Sequence, residues 1–193
     1  MTARRLKTTL ILATLAVSGL ALLSWTQPWF TLSLTQGTHA GSSVDVGGDA
    51  AGPAVAALGL AGLALGAALG IAGRAFRIVF GVLELLIGAS LVTSAVIALA
   101  DPASASSQKV TELTGVSGDS AVHELVRTAA PTAWPFVALA AGVLLAVLGV
   151  VVGVTFRRWP GPNRKFETTH DDTQAPDAVD SWDELSRGED PTR

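Results

Sequence analysis

A single acid, Glu84, interrupts the long apolar stretches of this chain, and Arg77 stands seven residues before it at the start of the same stretch. Seven residues are close to two helical turns, so both side chains leave one helix face about 10 Å apart along the axis. A direct or water-mediated pair would fit that spacing. A carboxyl at membrane depth is costly, roughly 2.5–3.5 kcal/mol on insertion scales for Asp or a basic residue at mid-helix, and it marks either a partner or a pathway. The apolar stretches at 8–25, 54–73, 76–99 and 134–156 hold no His, Lys or Asp that could form a relay with it. The preferred reading is therefore structural: a neutral Glu84, or one bonded to polar groups of neighbouring helices or to Arg74 and Arg77.

Little else could carry a reaction. The chain has no cysteine, which removes disulfides, thiolate zinc sites and thiol nucleophiles. The run HELVR at 123–127 resembles the zinc motif H-E-x-x-H, but Arg127 stands where the second imidazole is required, so it reads as a surface helix. His39 has no second ligand at a metal-binding spacing. Neither a phosphate-cradling glycine loop nor a clustered acid and base set lies outside the spans. These points argue against an enzyme, and no cofactor or metal is expected.

The elements that must position Glu84 are membrane helices. The chain has 193 residues, of which 49% are hydrophobic and 15% charged, with a mean hydropathy of +0.47. That is the composition of a small polytopic membrane protein. About twenty apolar residues cross the roughly 30 Å hydrocarbon layer. Four stretches qualify, so the expected fold is all-α: a four-helix transmembrane bundle over 1–159, with a small extracytoplasmic β-hairpin, loop helices and a disordered C-terminal tail at 160–193. The stretches at 54–73 and 76–99 form a helical hairpin around the short turn at 73–76. The basic start and apolar run at 1–25 could be a signal peptide, but the run is long and SWTQPWF offers bulky residues where cleavage wants small ones. It reads as an uncleaved span.

Between the spans, 29–34 alternates as a strand and 43–46 repeats the pattern, which predicts the hairpin. Trp25, Trp29 and Phe30 read as an aromatic anchor at the interface. After Asp101-Pro102 stops the third span, 103–113 and 120–129 read as two short helices separated by Gly115 and Gly118. Nine of the thirteen cations flank the first span, the 73–76 turn and the end of the fourth, whereas the two longer loops hold only Lys109 and Arg127. By the positive-inside rule both termini are cytoplasmic and those loops face out.

Gly62, Gly66 and Gly70 recur every fourth residue and predict a helix-packing face. Gly142, Gly149 and Gly153 also keep small residues on one side of the fourth span. The tail is acidic and poor in apolar residues, with one island at 181–191. There Ser181 and Glu184 make a capping box, and Trp182 and Leu185 share a face that could dock a partner.

Taken in order, RRLK, TQPWF, GGDAAGP before a Gly/Ala-rich span, ADPA, TAWPF, RRWPG and WDELSRGEDPT resemble the tryptophan-biosynthesis-associated (tryptophan operon region) membrane proteins of actinobacteria. The likeness covers nearly the whole chain. It implies a bacterial plasma-membrane protein whose link to tryptophan synthesis is gene neighbourhood, and it implies no catalytic residues. Two functions follow as expectations. One is an accessory or scaffold protein whose tail recruits a cytoplasmic protein. The other is a small transporter of an aromatic metabolite, with Glu84 binding a proton or cation and the glycine faces forming a homo-oligomer. The lipid bilayer is the common partner, and nothing points to nucleic acid.

Overall fold

The computed structural model describes residues 3–35 and 43–155. His39, the end of the fourth span and the whole tail, with Trp182 and Leu185, lie outside them. Among the described residues four helices are long and apolar enough to cross a membrane: α1 (Ala3–Trp25), α3 (Ala54–Ile71), α4 (Arg74–Ala100) and α8 (Trp134–Thr155). The remaining elements are β1 (Pro28–Leu34), β2 (Ser43–Gly47), α2 (Gly48–Ala51), α5 (Pro102–Ala105), α6 (Ser107–Thr114), α7 (Asp119–Leu125) and β3 (Val126–Pro131).

The spans begin and end where the sequence stops supporting a helix in lipid. α3 runs from the residue after Pro53 to Ile71, and the extended backbone at Ala72 and Gly73 turns the chain directly into α4. α4 ends at Ala100, and the next residue, Asp101, caps α5 by accepting the Ser104 backbone N–H at 3.1 Å. The loop helix expected over 103–113 is two pieces, because Ser106 closes α5 before α6 begins. α6 stops at Gly115, whose φ of 72° is left-handed and costs glycine little.

Around the bundle the neighbours are α1 and α3, α3 and α4, α4 and α8, and α8 and α1. This leaves α1 and α4 facing across one diagonal. Large apolar side chains such as Leu60, Ile97, Val147 and Val154 stay exposed on the outside. A bundle in water would hide them; here the bilayer is the solvent.

The expected hairpin is corrected to a three-stranded antiparallel sheet of order β2-β1-β3. Residues 126–129, read as the end of a helix, are strand instead. Two strands alone are marginal, and the second edge of β1 would otherwise leave its backbone groups unpaired. β3 supplies the partner, in a register that opposes Leu32 to Ala129 and Phe30 to Pro131. Pro131 ends an edge strand, where the missing N–H is tolerated.

Trp29 and Phe30 are also corrected: both are fully buried rather than displayed as an anchor. They form the sheet-end core with Leu32, Leu34, Val46, Val110 and Val122, and this core continues into the bundle through Ala21, Val55, Leu91 and Leu145. Trp29 donates its indole N–H to the Ser24 carbonyl at 2.9 Å, which satisfies its one polar atom. Gly52 makes room for the ring, since a β-carbon there would lie 2.9 Å from Trp29 Cη2.

Candidate functional site in the bundle interior

Glu84 lies on α4 with no solvent-exposed surface. Its partner is neither Thr93 nor a basic residue but Thr14, seventy positions earlier on α1: Thr14 Oγ1 and Glu84 Oε1 are 2.6 Å apart. The bond crosses the bundle diagonal. Thr14 Oγ1 is also 3.0 Å from the Leu10 carbonyl, one turn back on its own helix. Glu84 Oε2 and the buried Ser18 hydroxyl have no hydrogen-bond partner among the described residues. Thr93 instead turns its hydroxyl back to the Ala89 carbonyl at 2.9 Å.

Arg77 is also buried, at 2% exposure, but it is not joined to Glu84. Its Nε donates to the Ala72 carbonyl at 3.2 Å, in the turn before its own helix. Among the described residues the ion pairs are Lys109 with Glu112 at 3.4 Å and His123 with Asp101 at 3.1 Å. Lys7 reaches across from α1 to donate to the Gly70 carbonyl at 2.7 Å, where α3 ends with unpaired carbonyl groups. The shared face of Arg77 and Glu84 thus places the two ionisable side chains in different layers, one at the helix turn and one in the middle of the bundle.

The glycines divide differently from their spacing. Gly62 and Gly66 do pack on a neighbour, α1. A β-carbon on Gly62 would collide with Ser18 Oγ, and one on Gly66 would come 2.9 Å from Leu15 Cδ2. Gly70 faces open space. The closest approach of backbone to backbone is elsewhere, between α4 and α8. A β-carbon on Gly149 would lie 2.6 Å from both the Gly81 carbonyl oxygen and the Leu85 backbone nitrogen, and one on Gly88 would lie 2.6 Å from the Gly142 oxygen. Gly81 and Gly88 were not singled out by sequence. Their signal was available: they are seven apart, as are Gly142 and Gly149, so two antiparallel helices can match them in pairs.

Residues 11–192 match the family of tryptophan-associated transmembrane proteins. The chain belongs to this family. No curated protein and no solved structure matches it. The tryptophan-associated family match covers the first span from residue 11, the other three spans and all but the last residue of the tail, in agreement with the resemblance carried by the sequence motifs.

Two other features of this tryptophan-associated protein bear on chemistry. At the sheet end, His123 sets Nδ1 at 2.7 Å from the Asp119 carbonyl and Nε2 at 3.1 Å from Asp101 Oδ1. Two acceptors favour the doubly protonated ring, and the Asp119 carbonyl, followed by the Asp101 charge, raises the His123 pKa. The Asp101 pKa is lowered, first by the Ser104 backbone N–H and then, less strongly, by His123. This pair ties α7 to the end of α4, and among the described residues no group of three or more His, Cys, Asp or Glu could hold a metal. The second feature is a groove of about 520 Å3 between α4 and α8, lined by Leu85, Val92, Val143, Val147 and other small apolar residues. Thr93 is its one polar lining residue, and that hydroxyl is already bonded to its own helix.

Proposed function

We propose that this protein is a non-enzymatic accessory or scaffold protein of tryptophan biosynthesis, held in the bacterial plasma membrane with both termini and the turn at 73–76 in the cytoplasm. The sheet and loop helices then lie outside, and the tail presents Trp182 and Leu185 to a cytoplasmic partner. The observation that carries this reading is the seam between α4 and α8. At Gly81, Gly88, Gly142 and Gly149 the two backbones come into direct contact, and the sheet-end core joins the bundle core without a break. Backbone packed on backbone has no flexible side chain to move aside, which suits a fixed anchor better than a transporter that must open and close. The charge distribution supports the orientation: Arg5, Lys7, Arg74 and Arg77 all lie at the bundle end opposite the sheet. The G-x-x-x-G face of α3 is covered by α1 at Gly62 and Gly66, so a homo-oligomer would use another surface.

The test is recovery of aromatic amino-acid biosynthetic enzymes with the full-length protein, cross-linked in its native membrane. Trp182→Ala should lower capture by tenfold or more, since a buried indole anchor commonly contributes about 2 kcal/mol or more. Equal recovery with both proteins, or none with either, overturns the scaffold reading. Flux of tryptophan or indole in proteoliposomes that requires the Glu84 carboxylate would put the transporter in its place.

A further inference from the structure

The contact between α1 and α4 poses a problem of proton counting. Thr14 Oγ1 has two oxygen neighbours at hydrogen-bond distance, the Leu10 carbonyl at 3.0 Å and Glu84 Oε1 at 2.6 Å. A hydroxyl has one proton to donate, and a carbonyl oxygen can only accept. If Thr14 gives its proton to Leu10, the short contact to Glu84 is a hydrogen bond only when Glu84 carries a proton of its own. If Thr14 instead gives its proton to Glu84, that carboxylate is an anion with one donor and a fully buried second oxygen.

The surroundings decide between these arrangements. Glu84 is completely enclosed, and Oε2 has no partner among the described residues. Among the described residues no ion pair reaches it: the charged groups nearest along the elements packed around it are Lys7 on α1, seven residues from Thr14 and bonded to Gly70, and Arg77 on α4, seven residues from Glu84 and bonded to Ala72. α3 and α8 contain no ionisable residue at all. An isolated anion in this setting has a large desolvation cost with one hydrogen bond against it. A neutral acid uses Oε1–H as donor to Thr14, and its Oε2 becomes an uncharged carbonyl oxygen, whose lack of a partner is far less costly.

We infer that Glu84 is a proton-binding site of the resting protein: it holds a proton as a carboxylic acid, donates it in a hydrogen bond to Thr14 Oγ1, and Thr14 donates in turn to the Leu10 carbonyl. Every proton in this chain has one donor and one acceptor. The bound proton is what joins α1 to α4 across the bundle diagonal, and Glu84 then places no charge in the middle of the bundle. This inference is independent of the scaffold reading, since an anchor and a transporter could both contain such a site.

The experiment is isotope-edited infrared spectroscopy of the full-length protein in lipid nanodiscs at neutral pH, with carboxyl-labelled glutamate. Glu112 and Glu124 are exposed, and the comparison with Glu84→Gln separates the Glu84 signal from theirs and from those of Glu167, Glu184 and Glu189. Glu84 should add a label-sensitive carboxylic-acid C=O band, and Glu84→Gln should lose it without loss of carboxylate intensity. Gln keeps a donor toward Thr14, so the variant should fold. Thr14→Val removes the acceptor and should shift the same band to higher frequency. Should Glu84→Gln not fold, the labelled wild type and Thr14→Val decide the matter. Absence of any labelled acid band in the wild type overturns the proposal, and so does a band that Thr14→Val leaves in place.

Discussion

Two helix seams in one bundle use glycine for different purposes. On the seam of α1 and α3, Gly59, Gly62 and Gly66 make room for side chains, those of Leu22, Ser18 and Leu15. On the seam of α4 and α8, Gly81, Gly88, Gly142 and Gly149 make room for the opposite backbone. A leucine can rotate away from an added methyl group, whereas a backbone can retreat only by moving its helix. The three-glycine ladder of α3 is the more conspicuous pattern in the sequence, yet the tighter interface is the one built from glycines shared by two helices. Small residues on one helix permit an approach; matching small residues on both produce it.

The strongest way to break this contrast is Gly88→Ala. The new β-carbon would overlap the Ala146 backbone nitrogen and lie 2.6 Å from the Gly142 oxygen, so α4 and α8 must separate. We expect a loss of about 1–3 kcal/mol, the usual range for overpacking, read as a lower unfolding temperature in detergent. A fully stable Gly88→Ala would mean that this seam is loose.

A smaller loss is expected for Gly66→Ala, because the atoms in its way are the Cδ2 and Cγ of Leu15 at 2.9 and 3.1 Å. Rotation of Leu15 should hold the cost below about 1 kcal/mol, near the lower end of overpacking effects. An effect equal to that of Gly88→Ala in the same assay would erase the distinction between the two seams.

The smallest change, with opposite sign, belongs to Gly70→Ala. Nothing lies within 4 Å of the added carbon, so only the helical preference for alanine remains. A gain of about 0.4–1 kcal/mol should follow, visible as a higher unfolding temperature. Destabilisation by Gly70→Ala would show that the third glycine of the ladder also packs.

Local pattern settled much of this protein. Hydropathy locates all four spans, with α3 ending at Ile71 against an expected 54–73 and α4 starting at Arg74 against an expected 76–99. Alternation found β1 and β2, because one face of β1, through Phe30, Leu32 and Leu34, is buried while Thr31 and Ser33 on the other are only half-buried. The ordered motifs found the family. Each of these signals is carried by residues close together in the chain.

Only the tertiary structure decided the rest. β3 has helix-compatible residues, and it is a strand because β1 offers an unpaired edge. Trp29 has the position of an interfacial anchor, and it is core because Gly48 and Gly52 come close to its ring. Glu84 could have faced Arg77 on its own helix; it faces Thr14 because α1 and α4 meet across the bundle diagonal. The sequence determines which segments enter the membrane, since that depends on the summed apolar character of about twenty neighbouring residues. It does not display which helix faces which, because that is settled by contacts between residues as far apart as Thr14 and Glu84, whose energies exist only once the backbones have come together.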